Sequence, residues 1–274
     1  MIISTLLENT AISSNYKTKH GLSLHIQTNE HKILFDLGPD DTFIENAKKL
    51  NIDIAEVDIV IISHGHRDHG GGLESFLKEN STAKIYINKN AFEPYYNTLL
   101  NLMKYYIGLN KEFKDNDRII LTDDDYIIDD KVRLFSNVSG SKFIPSSNKD
   151  LLMKEGDNYL QDDFKHEQNL IIKENNKNIL ISGCSHCGVV NIIERGEELI
   201  KGKFNIQIGG LHLYNPISKK EEDLEFIKAL GKNLNDRNIN YYTCHCTGLK
   251  SFNNLKEIMG IKINYLSTGK IIEI

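Results

Sequence analysis

Residues 57–72 read Val57-Asp-Ile-Val-Ile-Ile-Ser63-His64-Gly-His66-Arg-Asp68-His69-Gly-Gly-Gly72. Positions 57–62 form a nearly continuous apolar run of strand length, the pattern of a strand that is covered on both faces. Four side chains that can bind a metal follow within six residues, and three glycines then let the backbone turn tightly before a helix that begins at Leu73. The segment therefore predicts a buried strand that ends in a metal-binding loop.

This loop offers the ligand types of a hydrolytic metal centre. Neutral imidazole and carboxylate groups suit Zn²⁺, iron or Mn²⁺. In extended backbone His64 and His66 project to the same side, whereas Asp68 and His69 lie past a bend and can face a second position about 3.5–4 Å away. We predict one or two divalent metal ions, zinc first, with iron or manganese as alternatives. A solvated histidine-rich loop is disfavoured, because this ligand spacing rarely follows a strand by accident.

The rest of the chain reads as alternating strands and helices. Strands are predicted at 2–7, 22–27 and 31–36, followed by a helix that Asp40 or Asp41 caps. Farther on, three predicted strands each end in a polar turn that contains a histidine and precedes a helix. The turns are Gly183-Cys-Ser-His186-Cys-Gly188, Gly209-Gly-Leu-His212-Leu213 and Cys244-His245-Cys-Thr-Gly248, and the helices span about 189–200, 218–233 and 249–258. Ligands in open α/β proteins gather at the carboxyl ends of strands, so the turns indicate one shared site.

The segment 92–165 is the least regular part of the sequence. Six of its side chains fit one helical face, and ordinary packing is the favoured interpretation, with an aromatic-lined lid as the alternative; they are Tyr95, Tyr96, Leu99, Leu100, Met103 and Tyr106. Its few prolines are not clustered and no linker composition marks a boundary. We therefore predict a single domain over 1–274, with a possible lid at 92–165.

Composition and charge restrict the function classes. Apolar residues make up 40% and charged residues 26% of the chain, close to the averages of globular proteins. No apolar run approaches the roughly 20 residues that span a bilayer, and the first eight residues lack the basic start of a signal peptide, so a cytoplasmic protein is expected. The net charge of −5 gives no basic footprint for nucleic acid. The expected partner is a small molecule, possibly phosphorylated, and neither nucleic acid nor a membrane.

Four cysteines lie in the C-terminal third, in two pairs that each bracket a histidine: Cys184, Cys187, Cys244 and Cys246. They are too few for a disulfide scaffold, and a cytoplasmic setting keeps them reduced. A structural zinc cluster is an alternative, although no knuckle-like glycine pattern surrounds them. The position of Cys184 beside His186 also leaves a reactive-cysteine enzyme open.

These residues carry a family resemblance. The motif His64-x-His66-x-Asp68-His69 matches the signature of the metallo-β-lactamase superfamily, and Ile33-Leu-Phe-Asp36-Leu-Gly38 resembles the strand and Asp turn that precede it there. The three later histidine turns resemble one branch, labelled dihydropterin–ribofuranosylaminobenzene-phosphate synthase-like. The resemblance covers nearly the whole chain in order, apart from its irregular middle.

The resemblance implies an α/β fold, an αββα four-layer sandwich in which two facing mixed β-sheets carry helices outside and metals at one edge. It also implies a ligand set. His64, His66 and a third histidine would hold one metal, and Asp68, His69 and His245 would hold the other.

Two departures from the family pattern affect this set. The Gly-His-Thr-Pro-Gly turn that usually supplies the third histidine is absent, and the nearest place by order holds His166. The usual bridging Asp is replaced by Cys184, and His186 follows two residues on, on the same face of extended backbone. We predict His186 as a ligand, with Cys184 and His166 as alternatives.

We predict a metal-dependent hydrolase of a small-molecule ester or phosphoester. Asp68 would orient the attacking water or accept its proton, as well as bind metal. His212 would either bind substrate phosphate or donate a proton; the other interpretation is a buried, hydrogen-bonded histidine. The alternatives are a transferase of the type that the branch label names and an iron-dependent redox or sensing protein. The early histidines, His20, His25 and His31, are predicted to lie at the surface.

Overall fold

The computed structural model describes residues 1–99 and 103–274, which form two compact units. The first unit comprises Met1–Tyr95, Ile107–Asp123 and Leu266–Ile274, and the second Tyr96–Tyr106 and Asp124–Tyr265. The helices of the described residues are α1 Thr42–Lys49, α2 Arg67–Gly70, α3 Leu73–Glu79, α4 Val189–Ile200, α5 Leu224–Asn235 and α6 Leu249–Met259. Their strands are β1 Ile2–Leu7, β2 Ser23–Gln27, β3 Lys32–Phe35, β4 Ile59–Ile62, β5 Lys84–Asn88, β6 Tyr95–Leu99, β7 Met103–Tyr106, β8 Ile119–Thr122, β9 Asp125–Ile127, β10 Val132–Phe135, β11 Leu151–Glu155, β12 Asn158–Gln161, β13 Asn169–Glu174, β14 Lys177–Ile181, β15 Ile206–Ile208, β16 Tyr214–Asn215, β17 Lys220–Glu221, β18 Asn240–Thr243, β19 Ile263–Tyr265 and β20 Ile271–Glu273.

A seven-stranded mixed sheet forms the first unit, in the order β20-β1-β2-β3-β4-β5-β8. Neighbours from β20 to β3 run antiparallel, and those from β3 to β8 run parallel. Every residue of β4 is buried, which confirms the prediction of a covered strand. Helices α1 and α3 contribute Phe43 and Phe76 to an apolar core around this sheet. The histidine loop therefore starts from a strand that is fixed on both sides.

The second unit contains a seven-stranded sheet of similar design, in the order β19-β18-β15-β14-β13-β10-β9. The strands from β19 to β14 run parallel, and the strands from β14 to β9 run antiparallel. Helices α4, α5 and α6 pack on it through a core that includes Ile193, Leu230 and Leu255. The parallel strands β14, β15 and β18 are the ones that run into the three predicted histidine turns, so their carboxyl ends meet at one edge of this sheet.

The irregular middle is where the sequence-based prediction was wrong. Tyr95 and Tyr96 lie in β6, and Met103 and Tyr106 in β7, so these residues form a hairpin and no helix. Tyr96 pairs across the strands with Tyr106, with ring centroids 5.4 Å apart. The cross-strand aromatic pair favours the hairpin over the helical spacing. Leu100 lies outside the described residues, and the hairpin joins β11 and β12 in a four-stranded sheet.

The predicted helix at 218–233 also starts too early. The short hairpin of β16 and β17 occupies its first part, and α5 begins only at Leu224, where the Asp223 carboxylate accepts hydrogen bonds from the backbone N–H groups of Glu225 and Phe226. Among the residues that the structure describes, no helix has the length and apolar composition that crossing a membrane requires.

Candidate metal centre

The first unit brings the four residues of the histidine motif together. His64 and His66 follow β4 directly, and Asp68 and His69 lie in the single turn of α2. His64 and His69 are fully buried, and His66 is 4% exposed. The ring of His64 lies 4.6 Å from the ring of His66 and 4.1 Å from that of His69, measured between centroids. Three buried imidazoles and a carboxylate thus converge within one short loop.

Asp36 organises this loop from the end of β3. Its Oδ1 accepts a hydrogen bond from the backbone N–H of Ser63, and its Oδ2 accepts one from the Ser63 hydroxyl and lies 2.6 Å from Nδ1 of His69. Ser63 Oγ in turn lies 2.8 Å from Nδ1 of His64. Asp36 has a φ of 62°, a left-handed conformation that costs a non-glycine residue about 1–3 kcal/mol and that clusters at functional sites.

These hydrogen bonds determine which ring nitrogen would bind a metal. With Nδ1 of His64 and His69 engaged by a hydroxyl and a carboxylate, Nε2 is the remaining ligand atom of each ring. A histidine that donates one N–H to a carboxylate or hydroxyl while the other nitrogen binds metal is the usual arrangement in metalloproteins. Buried neutral imidazoles together with a carboxylate are a donor set that suits Zn²⁺, iron or Mn²⁺. The residues of the motif therefore fit a divalent metal.

Glycines let the chain approach itself closely behind the motif. A Cβ added at Gly71 would lie 2.4 Å from the carbonyl oxygen of Pro39 and 2.5 Å from that of Arg67. Since the φ of Gly71 is −65°, its role is close approach to other backbone and not an unusual dihedral angle. A larger residue there would push α2 and its two ligands outward.

Asp68 has a neighbour that the sequence did not reveal. Its Oδ2 lies 3.2 Å from Nε2 of His20 and 3.6 Å from Nε2 of His69. His20 was predicted as a surface residue without a role; its side chain is 40% exposed but faces the motif. The surface prediction for His25 was wrong, since this side chain is 5% exposed in β2, and His31 is half-buried against Asp58.

The second unit holds a separate cluster of thiols and imidazoles at the end of β14, β15 and β18. Cys184, His186 and His212 each offer a ligand atom, and these atoms lie within 4.8 Å of one another. The rings of His186 and His212 are 4.2 Å apart between centroids. A second group, formed by Cys184, His245 and Cys246, meets the same limit, and all five side chains are buried. The structure therefore gathers the residues of all three predicted turns in one place within this unit.

Cys246 lies at the centre of the second group. A hydrogen bond from the backbone N–H of His212 reaches its Sγ over 3.3 Å. Burial raises the pKa of this thiol, but hydrogen bonds with Cys184 and His212 and the charge of His245 outweigh burial and hold the pKa well below its usual value. A thiol of lowered pKa is the form in which cysteine binds metal or reacts.

Glu167 supports the turn that carries His186. Its buried carboxylate accepts hydrogen bonds from the backbone N–H groups of His186, at 2.7 Å, and Cys187, at 2.9 Å. Burial raises the pKa of Glu167 and, together with the nearby carboxylate, raises that of Cys187 well above its ordinary value. His166, an alternative ligand in the sequence analysis, is buried with its Nε2 3.0 Å from Asp162. That contact gives His166 a structural role in holding the segment before β13.

Comparison with known proteins follows the same lines. A family model described as the metallo-beta-lactamase superfamily matches residues 19–137. The chain is 31% identical over 287 residues to the 7,8-dihydropterin-6-methyl-4-(beta-D-ribofuranosyl)-aminobenzene-5'-phosphate synthase of Methanocaldococcus jannaschii, across 99% of this chain and 96% of that protein. This chain belongs to the metallo-β-lactamase superfamily.

Solved structures agree with this membership. Tm1679, a metal-dependent hydrolase of the beta-lactamase superfamily, has a TM-score of 0.83 at 26% identity and covers 100% of this chain and 99% of its own. Zn²⁺-bound PqqB of Methylobacterium extorquens, at 13% identity and a TM-score of 0.61 over 100% of both chains, shares the fold. The predicted α/β class and the metallo-β-lactamase fold, with mixed sheets and helices, are confirmed. Members of this superfamily are mostly hydrolases and typically bind divalent metals.

Proposed function

We propose that this protein is a metal-dependent hydrolase of a small-molecule ester or phosphoester, with zinc as the first candidate metal and iron or manganese as alternatives. The observation that carries the proposal is the anchored motif: His64, His66 and His69 are buried beside Asp68, with their loop fixed by Asp36. The full-length likeness to Tm1679, whose description is a metal-dependent hydrolase, supports it.

Each residue of the motif has a part in this chemistry. The imidazoles would hold the metal through Nε2, and Asp36 and Ser63 keep the rings of His69 and His64 in position. A divalent metal there supplies Lewis acidity and lowers the pKa of a bound water to about 7. Asp68, which is 24% exposed on its side chain, would orient the attacking water and accept its proton at Oδ2. His20, 3.2 Å from that oxygen, would favour the ionised carboxylate.

The ligand set that the family resemblance implies extends this proposal to His186 and His245. Single substitutions of each to Gln, with the bound metal measured after dialysis, test the two assignments separately. A ligand variant is expected to lose metal affinity by about 10-fold or more, whereas substitution of His31, half-buried beside Asp58, is expected to leave it unchanged.

A transferase is the second candidate, because the relative at 31% identity is named a synthase of a ribofuranosyl-aminobenzene phosphate. The two functions differ in what is released. A hydrolase yields two fragments of one substrate with water consumed, whereas a transferase that joins a ribose phosphate to an aromatic acceptor releases its leaving group only when the acceptor is present. Assays with and without an aromatic amine acceptor separate them.

The direct test is turnover after reconstitution. Metal-free protein is loaded with Zn²⁺, Mn²⁺ or Fe²⁺, and hydrolysis of chromogenic carboxylic ester, phosphomonoester and phosphodiester substrates is followed. We expect turnover with at least one substrate class, and its loss in Asp68→Asn. Metal bound in the ratio expected but no turnover of any substrate would overturn the hydrolase proposal.

Location and partners follow from composition. The four cysteines, all within the described residues, are not joined in disulfides, which fits a reducing compartment, and we propose the cytoplasm. The net charge of −5 argues for a small-molecule substrate over nucleic acid. Fractionation and a nucleic-acid binding assay at moderate salt test these two points.

A further inference from the structure

The thiol and imidazole cluster of the second unit has the composition of a metal site of its own kind. We propose that Cys184, His186 and His212 bind one soft divalent cation, Zn²⁺ in preference to Mn²⁺ or Mg²⁺, through one sulfur and two nitrogen atoms. The proposal deepens the proposed function, on which it rests, because it names further ligands and the class of metal. It also gives His212 a role different from the proton donor or phosphate contact predicted from sequence.

Burial and the donor atoms carry the first step. Cys184 is 3%, His186 1% and His212 9% exposed. Nδ1 of His212 is buried and makes no hydrogen bond within the described part of the chain. A buried polar atom left without a partner costs about 1–3 kcal/mol, which a metal bond would remove. Tetrahedral zinc bonds of about 2.0–2.3 Å place ligand atoms roughly 3.5 Å apart, so the observed limit of 4.8 Å requires only a small contraction.

Two loops are fastened together so that these ligands meet. The backbone N–H of Gly210 donates to the carbonyl of Gly183 over 2.8 Å, and the Ser185 hydroxyl donates to the carbonyl of Gly210 over 2.8 Å. A Cβ at Gly210 would lie 2.4 Å from Sγ of Cys246 and 3.0 Å from the Gly183 oxygen, so only glycine allows this approach. The turn of Cys184 and the turn of His212 are thereby held side by side.

Backbone strain occurs at the same turns. Ser185 has a φ of 61° and His212 a φ of 50°. Neither is a glycine, so each conformation costs about 1–3 kcal/mol and persists only because the surrounding hydrogen bonds impose it. Strain of this kind aims Cys184 and His212 at a common point, which a packing role alone would not require.

The supporting shell of His186 matches that of a metal ligand. Nδ1 of His186 lies 3.1 Å from Oδ1 of Asn148, and the Asn148 amide donates to the His186 carbonyl over 2.8 Å. The ring stacks on Phe164, 4.6 Å away and within 5° of parallel. The ring is therefore fixed in position and tautomer with Nε2 as its ligand atom, the arrangement that metal-binding histidines adopt.

The donor set determines which metal is preferred. A thiolate with two imidazoles selects Zn²⁺ and other soft or borderline ions, whereas Mn²⁺ and Mg²⁺ prefer carboxylate and water oxygen. No carboxylate belongs to the Cys184–His186–His212 group. The expected order of affinity at this site is therefore Zn²⁺ above Mn²⁺ above Mg²⁺.

Cobalt spectroscopy tests the sulfur ligand directly. Full-length metal-free protein is titrated with Co²⁺, and a thiolate-to-cobalt charge-transfer band in the near-ultraviolet is expected. The band should disappear in Cys184→Ser and persist in the matched control Cys187→Ser, whose cysteine lies three residues on but faces the Glu167 carboxylate. A band that persists in Cys184→Ser, or that depends on Cys246 instead, overturns the assignment.

Zinc affinity supplies the second arm. His212→Gln is expected to weaken Zn²⁺ binding by at least 10-fold in a chelator competition, with an unchanged urea midpoint when metal is absent, and this variant answers the question even if Cys184→Ser fails to fold. Unchanged affinity in a folded His212→Gln protein would overturn the role of His212. Turnover with no cobalt–thiolate band would refute this site alone, whereas the band without turnover would refute the hydrolase proposal alone.

Discussion

Oδ2 of Asp36 lies 2.6 Å from Nδ1 of His69, and both side chains are fully shielded from solvent. The pair links the end of β3 to the first metal-binding motif over 33 positions of the chain. Because the same carboxylate also receives two hydrogen bonds from Ser63, it fixes the start of the loop as well as one of its ligands.

Asp36→Asn is expected to weaken metal binding while the protein stays folded. The amide keeps the size of the carboxylate but loses its charge and one acceptor oxygen, so the His69 ring is held less firmly and its tautomer is less defined. Loss of such a supporting carboxylate typically lowers metal affinity 10–100-fold. Competition with a chromogenic chelator measures the change.

A matched control exists on the surface of the same unit. Oδ2 of Asp58 lies 2.6 Å from Nδ1 of His31, the same pair at the same distance, but the Asp58 side chain is 46% exposed. Asp58→Asn should therefore leave metal affinity unchanged. An equal loss of affinity in both variants would show that the effect of Asp36→Asn is not specific to the motif.

Gly210→Ala is expected to destabilise the second unit. The new methyl group would lie 2.4 Å from Sγ of Cys246, and a contact this short forces the loops apart. Overpacking of this kind costs about 1–3 kcal/mol. Gly202→Ala is the control, because its nearest atoms would be 3.7 Å away. Urea unfolding midpoints should fall for the first variant and stay within about 0.5 kcal/mol of wild type for the second; equal midpoints would contradict the close approach seen at Gly210.

Those features that depend on neighbouring residues could be predicted from the sequence. The strand β4 and its histidine loop are contiguous, so apolar periodicity and ligand spacing identified both. Helix α4 was predicted with its observed bounds, since Gly188 precedes a clear apolar stripe that ends at Ile200. The hairpin of β6 and β7 was not, because Tyr95, Leu99, Met103 and Tyr106 happen to be spaced like one helical face.

Features that depend on distant residues gave no local signal. Asn148 contacts His186 across 38 positions and Glu167 contacts it across 19, and neither residue stands in a recognisable motif. Asp36 had a signal, its place directly after a strand in the Asp turn, but its hydrogen bonds to Ser63 and His69 required the parallel pairing of β3 and β4. His20 had none, since only the folded chain brings it to Asp68.

Stability is expected to fall on acidification through His25. Burial, with a smaller contribution from the charge of Lys32, lowers the pKa of His25 from 6.5 to about 4. Between these values the unfolded chain binds a proton that the folded protein does not, so the free energy of unfolding decreases as the pH falls from about 6.5 to about 4. The full difference corresponds to roughly 3 kcal/mol.

His25→Gln removes this proton and is expected to flatten the profile. Urea unfolding of metal-free wild type and variant, measured at intervals between pH 4 and pH 7.5, gives the difference in free energy at each pH. The variant should gain stability relative to wild type as the pH drops. Parallel profiles would mean that His25 titrates alike in both states and that its burial has no energetic consequence.

Asp68→Asn is expected to lower kcat by about 100-fold or more without unfolding the protein. The substitution keeps the shape of the side chain but removes the group that would accept a proton at Oδ2, and positioned acid–base groups contribute about 10²–10⁴ to rates. His20→Asn should have a smaller effect, below about 10-fold, because its 40% exposed side chain acts only through its contact of 3.2 Å with Asp68. The control His31→Asn removes an equivalent imidazole from Asp58 and should leave kcat unchanged. If Asp68→Asn retained full kcat at saturating Zn²⁺, the carboxylate would have no part in proton transfer, and its contribution would be limited to holding metal, which the Zn²⁺ dependence of the same assay would reveal.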